Sequence, residues 1–193
     1  MTPTVWHKEI LWAMAEGIHV YGSASIGALR AAELHSFGMK GVGRIFEAYR
    51  DGVLWDDDEV AVLHGPEEFG YPAVTEAMVN IRATLDQAVA EGVLDRWLVA
   101  QLTLIGKALF YKERGWDAIL RLATGLGLPT TPLSDFKAWL PDGQLDRKRL
   151  DALDMIAAIQ AHLAAGVAPL KISYGFQDTG YHQAAAERSM VAS

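Results

Sequence analysis

The stretch VYGSASIGALRAAEL, residues 20–34, runs from an apolar, strand-like segment into an apolar, helix-like one through a cluster of small residues. Gly22-Ser23-Ala24-Ser25-Ile26-Gly27 therefore reads as a strand-to-helix turn. Gly22 can take a positive φ, and Ala24 and Gly27 let a backbone or a ligand come close. Ser23 or Ser25 can cap the new helix, whose first N–H groups lack intrahelical acceptors and form a cradle for an anion or an oxyanion. Two readings stand: both serines cap a buried helix, or Ser25 is a nucleophile placed against a carbonyl. At about 100° per residue, Ala28, Ala31, Ala32 and Leu34 form a small-residue face suited to packing on a sheet. Ser25, Arg30 and Glu33 share the other side. Arg30 and Glu33 are either a mutual ion pair or a pair in which Arg30 faces the site and Glu33 orients it.

Outward from this turn, TVWHKEILWAMAE (4–16) carries a helical stripe stopped by Gly17, and IHVYG (18–22) is the strand entering the turn. FGMKGVG (37–43) reads as a glycine-rich loop, RIFEAYRDG (44–52) as a short helix, and VAVLHG (60–65) as a second strand. A long helix follows up to Gly92. From Val93 onward helical period dominates, with Gly or Pro terminators, up to a last stretch (173–193) that has no period. The fold class expected is α/β: a small, mostly parallel sheet flanked by helices, with an all-helical C-terminal half. The division expected is an α/β core over 1–92, a helical part packed on it over 93–172, and a mobile tail over 173–193.

The chain has 193 residues, 51% hydrophobic, with a formal charge of −7 and no cysteine. Disulfides, thiol catalysis and thiolate metal sites are excluded, and a cytoplasmic protein is the default. The acidic balance argues against nucleic acid. No segment approaches the roughly 18 apolar residues of a membrane span, and no secretory signal is visible. DRKRL (146–150), the one basic run, reads as a solvated helix start. No cofactor or metal motif is present.

Several groups can serve Ser25. His64 ends the expected strand VAVLH, and strand C-termini in a parallel sheet face the same edge as the strand-to-helix turn, which suits a general base. Asp56–Glu59 is read as a solvated turn or a hard-cation site. His7 and Lys8 lie on the first helix, His35 suits a helix C-terminus, and Asn80 and Arg82 interrupt an apolar helix as polar anchors. The spacing Gly-x-Ser-x-Gly is not met. The ASIGA fragment is closer to the ASMGA around the nucleophile of Clp-type serine peptidases.

Over residues 5–85 the chain resembles the TfuA core domain, through S-x-G-A-L-R-A-A-E-L, D-D-E-V-A-V and V-N-I-R-A-T-L. The resemblance implies a partner of YcaO enzymes, which activate backbone amides with ATP to make peptide thioamides. It also implies a ThiS-type sulfur carrier whose C-terminal thiocarboxylate is hydrolysed to supply sulfide. Ser25, Gly27, Arg30 and Glu33 fall in the family's main motif. His7, Lys8, Arg44, Asp57, Asp58, Glu59, Asn80 and Arg82 fall in its secondary motifs. Ile26 stands where relatives often have Met, a volume-conserving exchange. Relatives usually carry a strand and loop before VWHKEI, so a sheet edge covered by C-terminal helices or by a second copy is expected.

Together these features lead to an accessory hydrolase of thioamide biosynthesis. Ser25 attacks, His64 or Lys8 takes its proton, and Gly22, Ser23, Gly27, Arg30, Glu33, His7, Arg44 and Arg82 bind the carrier's terminus or the oxyanion. The alternative is a non-catalytic adapter that docks YcaO and the carrier. The pattern without the resemblance suggests an unrelated peptidase or esterase.

Overall fold

Apolar stripes and glycine stops divide the chain into short helices around one small sheet, and a computed structural model describes residues 5–176 of it. Helix α1 (His7–Ala15) leads to strand β1 (Tyr21–Gly22), helix α2 (Ile26–Leu34) and strand β2 (Lys40–Gly41). The strands pair in parallel, Tyr21 opposite Lys40 and Gly22 opposite Gly41. Residues 37–43, expected as loop, thus contain the second strand of the sheet. Gly41 is required there, because a Cβ at this position would overlap the ring of Phe46.

Helix α3 (Arg44–Arg50) follows, then a 3₁₀ turn over Asp57–Glu59. The strand expected at 60–65 does not form. Val60 is buried, but the segment pairs only at the isolated antiparallel bridge His64–Ala73. Backbone bonds from Val74 to Leu63 and from Gly65 to Pro72, both 2.8 Å, close an excursion over 63–74 that stands apart from the sheet.

The remainder is helical: α4 (Met78–Ala90), α5 (Arg96–Ala108), α6 (Trp116–Gly125), α7 (Thr130–Gly143) and α8 (Arg147–Ala164). Two apolar clusters form. One gathers Ile10, Met14, Ala28, Ala31, Met39, Ile45 and Val79 around the sheet; the other gathers residues of α4–α7 such as Leu85, Leu102, Ile119 and Phe136. Helix α4 serves both, with Val79 in the first and Met78 and Ile81 in the second.

Helix α8 runs back over the βαβ unit. Its buried Asp151 accepts the Ile45 amide at 2.8 Å, capping α3 from outside, and Gly43 beside it (φ 96°) leaves room for that carboxylate. Near its other end His162 meets the Tyr21 hydroxyl, and Lys40 Nζ lies 3.2 Å from the same imidazole. The following segment runs back along α1: Leu170 donates to the Gly17 carbonyl at 2.8 Å, and the Tyr174 hydroxyl to that of Leu11 at 2.8 Å. The C-terminal helix thus lies beside the strands, and its extension beside α1. Of the tail expected over 173–193, residues 177–193 fall outside the described residues.

Candidate active site

The turn between β1 and α2 is strained at Ala24, which holds φ 65° without being glycine. The Ser25 amide bonds the Ser23 carbonyl at 2.7 Å, closing a three-residue turn around that residue. Positive φ in such a tight turn is unfavourable for an L-residue and persists only where the surroundings enforce it. The surroundings are visible. Gly22 lies so close to α2 that a Cβ would strike the Gly27 carbonyl oxygen, so its role is close approach and not the positive φ expected of it. Ser23 is buried, its hydroxyl within reach of the carbonyls of Val42 (2.7 Å) and Asp151 (2.9 Å). It fixes the turn to β2 and α8, and caps nothing.

Ser25 is the N-cap residue of α2, yet its hydroxyl makes no capping bond. The Ser25 carbonyl takes the Ala28 amide at 2.9 Å. The amides of Ile26 and Gly27 find no backbone acceptor among the described residues. A hydroxyl without a structural bond thus stands beside unpartnered first-turn donors.

Ser25 lines a cavity of about 700 Å³ with Ile26, Asp57, His64, Tyr111 and Lys148. His64 therefore shares the cavity with Ser25, although it arrives on the 63–74 excursion and not on a strand of the sheet. Its Nδ1 donates to the Tyr71 carbonyl at 2.9 Å, which leaves Nε2 as the acceptor in the neutral ring. Lys148 is the residue that the sequence did not single out. Its Nζ donates to the Val60 carbonyl at 2.8 Å, and burial pushes the ammonium's pKa down against the partial opposition of Asp146. The signal for it was legible: Arg147, Lys148 and Arg149 begin a helix with cations, where the helix dipole favours acids.

The other expected site residues go elsewhere. Lys8 is exposed on α1 and is not part of the cavity lining. His7 Nε2 and Arg30 Nη1 both meet Glu33 Oε2, at 2.6 and 2.7 Å, and Arg30 Nε reaches the Val5 carbonyl at 3.5 Å. These three clasp α1 onto α2. Burial works against ionisation of Glu33, but the hydrogen bonds from Arg30 and His7 outweigh it and hold its carboxyl below the usual range. Arg44 and Arg82 line a separate cavity of about 530 Å³ together with Arg147.

The acidic run 56–59, expected as a solvated turn or a hard-cation site, is instead largely paired with basic side chains. Asp58 receives two 2.9 Å bonds from Arg114, whose side chain is wholly buried, and one of 3.0 Å from Lys107. Glu59 is held by Arg82 at 2.9 and 3.0 Å and by Lys107 at 3.0 Å. Asn80, expected as a polar anchor, donates to Asp146 at 3.1 Å and accepts the Lys148 amide at 3.1 Å, fixing the start of α8.

The fold and this turn define a mixed α/β protein: one βαβ unit, bearing a serine at its strand-to-helix corner, buttressed by an all-helical C-terminal half. The sequence model of the family described as TfuA-like protein matches residues 1–115, and the chain belongs to that family. TfuA-like proteins are associated with YcaO-dependent thioamide biosynthesis, generally as partners of YcaO. No curated protein matches the chain. Lys148 lies beyond the matched residues.

Proposed function

We propose that the protein is a hydrolase-like accessory of thioamide biosynthesis. In this reading it cleaves the C-terminal thiocarboxylate of a ThiS-type sulfur carrier in the cytoplasm and so supplies sulfide to YcaO. The observation that carries this reading is the Ser25 hydroxyl, without a capping bond, on a strained turn that opens into a 700 Å³ cavity. Ser25 attacks the carbonyl carbon, and the Ile26 and Gly27 amides hold the oxygen that becomes negative. Hydrosulfide leaves, and water then hydrolyses the acyl-serine ester.

An adapter that docks YcaO and the carrier without chemistry is the second reading. It is favoured by exposed aromatics on and beside the cavity's loops, Phe69 at 76% and Phe110 at 58% exposure. The test is sulfide release from thiocarboxylated carrier without YcaO. Ser25→Ala is expected to lower the rate by several orders of magnitude, as loss of a nucleophile does. Because the hydroxyl caps nothing, the melting temperature should move by no more than about 2 °C. Unchanged release by folded Ser25→Ala would remove the hydrolase reading in favour of the adapter.

A further inference from the structure

The 63–74 excursion closes as a strand pair on one side only. Leu63 accepts the Val74 amide and Gly65 donates to the Pro72 carbonyl, both at 2.8 Å, and the Leu63 amide meets the Thr75 hydroxyl at 2.8 Å. His64 lies between these bonds, opposite Ala73. Alternate residues of an extended chain turn their N–H and C=O groups to opposite edges, so those of Val62 and His64 face away from 72–75. Neither residue has a main-chain hydrogen-bond partner among the described residues.

This open edge borders the site. Val62 and His64 line the cavity that contains Ser25, together with Phe110 and Tyr111. We infer that residues 62–64 are the docking edge for the last residues of the carrier, which pair with them as an added β-strand and so lead the terminal thiocarboxylate to Ser25. This rests on the carrier being the ligand of the Ser25 cavity.

The chemistry of the edge selects a peptide main chain. It offers an amide donor and a carbonyl acceptor on one residue and again two residues further on, which is the complement of an extended peptide whatever its side chains. A serine that acts on a terminal carbonyl also needs the preceding residues to leave along a wall of the cavity, and this edge is such a wall. The edge is held ready from behind, because the Thr75 side chain that takes the Leu63 amide is buried. β-Branched Val60 and Val62 at every second position suit a pleated chain. At its start the edge is closed, since the Val60 carbonyl already accepts from Lys148 Nζ at 2.8 Å. At its other end Pro66, Glu67 and Glu68 follow, all exposed. Proline and exposed charges at a strand edge discourage pairing with a second copy of the same chain.

The test measures millisecond amide hydrogen exchange in the full chain, with and without the desulfurised carrier, which ends in an ordinary carboxylate. Saturating carrier should slow exchange at Val62 and His64 about tenfold or more, as new main-chain bonds do. On the carrier's side, N-methylation of successive tail residues by semisynthesis should weaken binding about tenfold at every second position and less than about twofold between. Val62→Pro deletes a donor that has no partner in the chain and should weaken binding by a similar factor. Should that variant fail to fold, the methylation scan decides with the protein untouched. Carrier bound without protection at Val62 and His64, or a scan without alternation, overturns the edge and leaves the hydrolase reading to the sulfide assay. Protection without sulfide release supports the edge and gives the cavity to the adapter. Protection already present without carrier, and growing with protein concentration, assigns the edge to a second copy and overturns the proposal. A carrier that does not bind removes the edge and both carrier readings.

Discussion

Ala24 holds a conformation that glycine would adopt at no steric cost, and the strain is tolerated because Ser23 and Gly22 on one side and α2 on the other leave the chain no alternative. Left-handed geometry costs an L-residue about 1–2 kcal/mol, and more when the side chain branches at Cβ. Ala24→Gly is accordingly expected to keep stability within about 1 kcal/mol, since relief of strain and the greater freedom of the unfolded chain oppose each other. It should nevertheless slow sulfide release from thiocarboxylated carrier, because a glycine there no longer enforces the turn. Ala24→Val should lose about 2 kcal/mol or more by urea unfolding. A stable Ala24→Val would mean that the turn relaxes easily and stores nothing. This much of the site could be anticipated from the small residues of 22–27. Which of them takes the positive φ could not, because that depends on how closely α2 approaches β1.

At the scale of elements, the 3₁₀ turn at 57–59 is held by cations drawn from three helices or their ends: Arg82 of α4, Lys107 of α5 and Arg114 just before α6. The run DDDE advertises solvent in the sequence because its partners lie 23 to 56 residues away. VAVLH misleads for a related reason. Its alternating apolar residues suit a strand, but a strand needs a partner along its length, and here pairing stops at the single bridge His64–Ala73 while Leu63 donates its amide to the Thr75 hydroxyl at 2.8 Å. Burial raises the carboxyl pKa values of Asp58 and Glu59, and the hydrogen bonds from Lys107, Arg114 and Arg82 outweigh it and bring both below their ordinary values. An acid whose pKa is lower in the folded state stabilises the fold above its unfolded value of about 4, and that contribution disappears as pH falls through the folded value. Arg114→Met removes one source of the depression and leaves the carbonyls of Gly106 and Leu109 without their donor. It should cost about 3 kcal/mol at pH 7 and move the acid-unfolding midpoint, followed by circular dichroism, to higher pH. An unmoved midpoint would show that Lys107 and Arg82 sustain the turn without Arg114.

For the molecule as a whole, the helical half was readable from its period and its glycine stops, whereas the path of α8 was not. Nothing in DRKRL announces that this helix crosses the βαβ unit, and so Lys148 passed for a solvated residue. Because α4 contributes to both apolar clusters, neither can lose its packing without exposing the other. Calorimetry should show one transition with equal calorimetric and van't Hoff enthalpies; two separated peaks would mean that the clusters unfold independently. Helix α8 makes contacts of different kinds along 18 residues, a span of about 27 Å: Lys148 at the cavity, Asp151 beneath α3 and His162 against Tyr21. Its angular phase is thereby fixed at three heights, like a key with cuts along one blade. One alanine inserted after Asp154 would rotate everything beyond it by about 100°, unlocking His162 from the strands while leaving Lys148 in register. Four inserted residues would bring the angle back to within about 40° but displace His162 by about 6 Å, so the two insertions separate the need for orientation from the need for reach.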